Sequence, residues 1–133
     1  CTMKRRGTPE ADLQRAVVQT LRIALPRSAI IHHCANEVTE AGPRGAKRQA
    51  ILVGMGVHAG FADLMVICDG RVLFLELKAP KGRLRPEQEA FRDAVQAQGF
   101  GWALVRSLDD ALGALADHGF TTRIAPAPRR PAP

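Results

Sequence analysis

The sequence predicts an α/β domain in which helices alternate with short strands. Three observations carry that prediction: amphipathic segments with clear helix start and stop signals, short apolar runs between them, and Asp69-Gly70 joining two of those runs. Asp-Gly between strand-like runs marks a tight hairpin, so residues 61–68 and 71–79 are expected to be antiparallel neighbours.

The elements follow in order. Thr8 can cap a first helix, Pro9 suits its first turn, Glu10 favours the positive end of its dipole and Pro26 ends it. Leu13, Val17, Leu21 and Ala24 form its apolar stripe. Glu10 lies three residues before Leu13 on that stripe and reads either as inward-facing or as a first-turn acid serving the dipole. Residues 29–34 make a first strand, and 44–53 a short helix whose Arg44, Lys47 and Arg48 share roughly one face. Gly54, Gly56 and Gly60 punctuate the loop into the hairpin. After it comes the basic turn Lys81-Gly82-Arg83-Leu84-Arg85, then a helix from Pro86 to a closing Gly99, with Gln88, Phe91 and Val95 on one stripe. Residues 101–106 form a fourth strand, and Ser107 caps a last helix ending near Gly119. One domain of about residues 1–120 is expected, followed by a basic, Pro/Ala-rich flexible tail at 121–133.

Nineteen Lys and Arg against thirteen Asp and Glu give a net charge of +6 and a pI near 10.0, which favours a polyanionic partner. With 46% hydrophobic and 24% charged residues, no apolar run reaches the roughly 18 residues of a membrane span. The basic start Lys4-Arg5-Arg6 meets no apolar segment of a signal peptide, so a cytoplasmic protein without a membrane partner is expected. Cys1, Cys34 and Cys68 are widely spaced and suggest neither a disulfide framework nor a zinc site; Cys34 and Cys68 read as buried strand residues. Five Phe, one Trp and no Tyr give little material for stacking on single-stranded bases. The glycine spacing fits neither a P-loop nor a dinucleotide fingerprint, so no nucleotide cofactor is expected.

The chemistry concentrates in the hairpin. Side chains alternate along a strand, so Glu76 and Lys78 share one face while Leu73, Leu75 and Leu77 share the other. A carboxylate and an ammonium within so apolar a run must pair, hold a metal or face a wet cleft. On strand pattern alone, the solvent face of an edge strand is the commoner explanation. Paired with Asp63 across the hairpin, however, Glu76 completes the two-carboxylate set that a hard divalent cation such as Mg²⁺ takes alongside waters and a substrate phosphate. Lys78 can then orient or help deprotonate an attacking water, which points to phosphodiester hydrolysis.

Phe61-Ala62-Asp63, then Glu76-Leu77-Lys78, then Gln88 on the next helix, resembles the PD-(D/E)XK nuclease superfamily. Within it, Asn36-Glu37, the loop from Gly56 through His58 and Gly60 to Leu64, Gly82, Gln88 and the closing strand and helix are similar to the VRR-NUC family of small stand-alone phage and bacterial nucleases. The similarity spans about residues 8–118. It implies a restriction-endonuclease-like core with a mixed central sheet flanked by helices. It also implies Mg²⁺ dependence with Mn²⁺ as an alternative, and structure-selective DNA cleavage by homodimers, with four-way (Holliday) junctions as the substrate. Carried over by position, Asp63 and Glu76 would bind metal, Leu77 would offer its backbone carbonyl, Lys78 would serve the attacking water, Glu10 would be an accessory metal ligand, and Gln88 would position the site. Ala62 stands where the family usually has a proline, which bears on the entry of the strand rather than on the chemistry.

Around this set, His58 in the glycine loop and the groups Arg44, Lys47, Arg48 and Lys81, Arg83, Arg85 are expected to meet DNA phosphates. Glu37 could assist metal binding or simply close a turn. His32 and His33 are adjacent and point to opposite faces, one toward the core and one outward, which does not suit a metal pair. Two further readings stay open: a flap or duplex nuclease, and a non-catalytic module that recognises DNA shape on a nuclease fold.

Overall fold

A computed structural model describes residues 8–34 and 42–124. Asn36 and Glu37 lie outside the described residues, as does the tail from residue 125. Helix α1 (Pro9–Ala24) starts where Thr8 accepts the Ala11 N–H at 3.1 Å, and it ends at Leu25, extended before Pro26. Strand β1 (Ile30–His33) follows, then helix α2 (Gly42–Gly54), strands β2 (Leu64–Cys68) and β3 (Arg71–Leu77), helix α3 (Pro86–Ala97), strand β4 (Gly101–Val105) and helix α4 (Leu108–Asp117). Ser107 caps α4 by accepting the Asp110 N–H at 3.1 Å.

The four strands form one mixed sheet in the order β1-β2-β3-β4, antiparallel except for β3 and β4. The hairpin turns as its sequence dictates: Asp69 and Gly70 both have positive φ, 51° and 75°, the geometry that matches the right-handed twist of paired strands. A tight turn cannot join β3 to the parallel β4, so the chain crosses through α3.

Alternation along β3 divides the molecule. Leu73, Leu75 and Leu77 join Leu64 and Val66 of β2 and Val105 of β4 against Val17 and Leu21 of α1, Leu25 just after it, and Ala111, Ala114 and Leu115 of α4. On the opposite face, Phe74 packs with Ala62, Phe91, Val95 and Trp102 beneath α3. Phe61, Phe74 and Phe91 meet at centroid distances of 4.6 to 5.4 Å, so this smaller core is aromatic where the first is aliphatic.

The structure corrects several local expectations. β3 is an interior strand, so the edge-strand explanation of Glu76 and Lys78 fails: Glu76 is 1% exposed and Lys78 6%. Lys78 lies one residue past β3, although its N–H still donates to the Val105 carbonyl at 3.1 Å. Asp63 likewise precedes β2 rather than sitting within it. His32 and His33 are both exposed because β1 is the edge strand, and Cys34 is only half-buried whereas Cys68 is buried. The start of the expected tail is bonded back, with the Arg123 N–H donating to the Ala24 carbonyl at 2.9 Å.

Candidate active site

The antiparallel register pairs Leu64 with Leu75, so the next row outward places Asp63 opposite Glu76 on the α3 face. Asp63 Oδ2 accepts the Leu77 N–H at 2.7 Å, which ties the acid that precedes β2 to the end of β3. The N–H and C=O of an extended residue point to the same side of its strand, so the Leu77 carbonyl faces the Asp63 side as well. Two carboxylates and a main-chain oxygen thus converge where β2 begins and β3 ends.

Gln88 fixes the second acid. Its Nε2 donates to Glu76 Oε1 at 2.8 Å while its Oε1 accepts the Arg85 N–H at 2.9 Å. A carboxylate on one side and an N–H on the other leave the amide one sensible orientation. The same Arg85 bond closes the first turn of α3, so helix capping and placement of Glu76 share one side chain. Lys78 Nζ stands 3.9 Å from Glu76 Oε1. Glu76, Lys78 and Gln88 are the buried polar residues of the described chain, and they form one connected group beside the aromatic core.

Gly60 explains how the loop before Asp63 reaches this group. Its φ is +77°, and a Cβ there would run into the Glu87 carbonyl, so only glycine allows the loop to lie on the first turn of α3. His58 is exposed on that loop; its ring meets Phe91 edge-on at 5.7 Å and its Nδ1 lies 2.9 Å from the Ala59 carbonyl. Glu10 comes from the other layer: its Oε1 lies 3.5 Å from where a Cβ on Gly82 would stand, at the turn just after Lys78. The described residues contain no cluster of three or more acidic, histidine or cysteine side chains able to hold a metal. Lys81, Arg83 and Arg85 are exposed on the turn after Lys78, and Arg44, Lys47 and Arg48 are exposed on α2, which precedes the glycine loop in the chain.

Two residues beside the site escaped the sequence reading. The Cys34 N–H donates to the Asp63 carbonyl at 2.9 Å, which extends the β1–β2 pairing by one residue. Burial and then the Asp63 carboxylate push the Cys34 thiol above its ordinary pKa. Arg106 bonds the carbonyls of Ala79 and Pro80. Nothing in composition marks either residue; Cys34 is placed by the β1–β2 register, which the Asp69-Gly70 turn does not set, and the position just past an apolar strand was the one signal for Arg106.

Two solved structures share this architecture. One, described as a VRR_NUC domain protein, aligns with a TM-score of 0.59 and 21% identity over 86% of this chain and 91% of that one. The fold is that of VRR-NUC domains. The other, described as a VRR_NUC domain, aligns with a TM-score of 0.55 and 16% identity over 86% of this chain and all of that one. No protein-family model and no curated protein matches the sequence. The chain therefore shares the fold of these domains, a mixed four-stranded sheet and four helices among its described residues. No helix among the described residues is long and apolar enough to cross a membrane.

Proposed function

We propose that this protein is a Mg²⁺-dependent endodeoxyribonuclease that hydrolyses phosphodiester bonds in branched DNA, with the four-way junction as its preferred substrate. The observation that carries the reading is the buried group of Glu76, Gln88 and Lys78, with Gln88 bonded to Glu76 at 2.8 Å and Lys78 at 3.9 Å from it, and the half-buried Asp63 in the same cross-strand row as Glu76. A purely structural role would not favour a carboxylate and an ammonium inside the sheet, because taking both from water costs several kcal/mol, on the order of what their attraction returns.

The donor chemistry fits a hard divalent cation. Asp63, Glu76 and the Leu77 carbonyl offer oxygen alone, and two carboxylates completed by water and phosphate make a usual Mg²⁺ site, one that Mn²⁺ can also occupy. When bound there, the ion would stabilise charge on the scissile phosphate and acidify a water. Lys78, beside Glu76, would orient the attacking water, while Gln88 prevents Glu76 from swinging away. Glu10 serves as an outer acid at the Gly82 turn. Lys81, Arg83, Arg85, His58 and the α2 cations seat the DNA backbone, consistent with the net charge of +6. Each site cuts one strand, so symmetric resolution of a junction calls for a homodimer with two sites about a two-fold axis.

The test is cleavage of a labelled four-way junction beside a flap, a single strand and a plain duplex, in Mg²⁺, Mn²⁺ or EDTA. Metal-dependent cuts, fastest on the junction and absent in EDTA, are expected. Salt-sensitive binding without cutting in any metal would replace this reading with that of a DNA-shape-binding module. Faster cutting of the flap or duplex would replace the substrate.

A further inference from the structure

Arg106 occupies the position next to Lys78 across the β3–β4 pair. The parallel register aligns Leu77 with Val105, and the Lys78 N–H donates to the Val105 carbonyl, so the following row sets Lys78 beside Arg106. From there the Arg106 Nη1 donates to the Ala79 carbonyl at 2.7 Å and the Pro80 carbonyl at 3.2 Å. Its own N–H donates to Asp110 Oδ2 at 2.9 Å, which anchors the residue to the first turn of α4. The Ala79 carbonyl also accepts the Gly82 N–H at 2.9 Å, and Gly82 is where Glu10 approaches. One residue therefore joins β4, α4 and the turn that separates Lys78 from Lys81, Arg83 and Arg85: its backbone N–H reaches α4 and its guanidinium reaches the turn.

We propose that Arg106 is a positioning residue for Lys78 and for the basic turn that follows it, a role that rests on the nuclease reading above. The chain leaves β3 at Leu77, so the ladder alone does not determine where residues 79–82 run. Two carbonyls held by the one terminal nitrogen Nη1 of a planar, permanently charged group do determine it, and a lysine would bring the charge on a freely rotating ammonium without that fixed planar geometry. Fixing those carbonyls sets the stem of Lys78, and with it the distance from its amine to Glu76. It also sets the turn that presents the flanking cations. The side chain acts through the backbone, and DNA need not touch it.

The test compares Arg106→Gln and Arg106→Lys with the wild type in two readouts. In single-site kinetics on the best-cut DNA with Mg²⁺, R106Q should lose about 100-fold in kcat while KM stays within about threefold, with R106K between the two. In amide hydrogen exchange without DNA or metal, the Gly82 N–H should exchange at least about tenfold faster in R106Q while β2 and β3 keep their protection. A rise in KM at unchanged kcat would make Arg106 a phosphate contact and overturn the proposal, as would unchanged exchange at Gly82. Should R106Q fail to fold, R106K carries both readouts. A wild type that cuts nothing in any metal would sink the nuclease reading alone, and the exchange at Gly82 would still decide whether Arg106 holds the turn.

Discussion

Leu75 and Glu76 are neighbours on one strand and nearly equally buried, at 0% and 1% exposure, yet they face different environments. Leu75 enters the aliphatic core between the sheet and the α1 and α4 helices. Glu76 enters a polar group bounded by Gln88, Lys78 and the aromatic core under α3. The lesson is a division of labour by strand parity: one face supplies the free energy of folding, and the other uses part of it to hold charges where water cannot screen them.

The comparison breaks most sharply at Glu76. Glu76→Gln keeps the volume and can still accept from Gln88 but leaves the buried Lys78 ammonium without its partner, so it should cost no more than about 3–5 kcal/mol of stability, while DNA cleavage per folded molecule should fall by about a thousandfold or more. Thermal unfolding and initial rates check both halves. Leu75→Ala should cost about 2–5 kcal/mol of unfolding free energy in a urea titration through lost burial and the cavity left behind. Cleavage per folded molecule should remain near that of the wild type.

A smaller effect sharpens the polar side. Gln88→Ala removes the donor at 2.8 Å from Glu76 and the acceptor for Arg85, and residues that hold a metal ligand in place typically matter about 10–100-fold. A drop of that size in cleavage, with a shift to higher Mg²⁺ requirement, is the expected outcome of a metal titration of the rate.

The apolar face has its own weak titration. Burial, then the charge of Asp69, raises the Cys68 thiol above its ordinary 9.0. A raised pKa in the folded state means that the stabilisation is complete below pH 9.0 and is lost as pH rises through the folded value. Cys68→Ala should therefore lose less stability than the wild type between pH 9 and 11, read as a shallower fall in melting temperature; a parallel fall would contradict it.

Parity also explains what the sequence made legible. Thr8, Pro26, Asp69-Gly70, Pro86 and Ser107 punctuate the chain through local chemistry, so the element order and the hairpin followed from them directly. The alternation Phe74-Leu75-Glu76-Leu77-Lys78 separated the two faces before any coordinates, and Gln88 was placed by helical spacing. Long-range facts were not legible. That β3 is interior depends on β4 pairing with it through α3, a non-local contact that no run of residues encodes. The exposure of both histidines depends on β1 being the edge strand. The roles of Gly60 and Arg106 depend on backbone carbonyls brought in from Glu87, Ala79 and Pro80. Composition marks donors and bends, but it does not mark which carbonyl they meet.

The most direct measurement is to purify Glu76→Gln and Leu75→Ala side by side and record, for each, the unfolding free energy and the Mg²⁺-dependent cleavage rate per folded molecule on a four-way junction. The account predicts a split in activity: E76Q folded and inactive, L75A destabilised and active. Cleavage retained by E76Q, or lost by folded L75A, would contradict the claim that the two faces of β3 separate chemistry from stability.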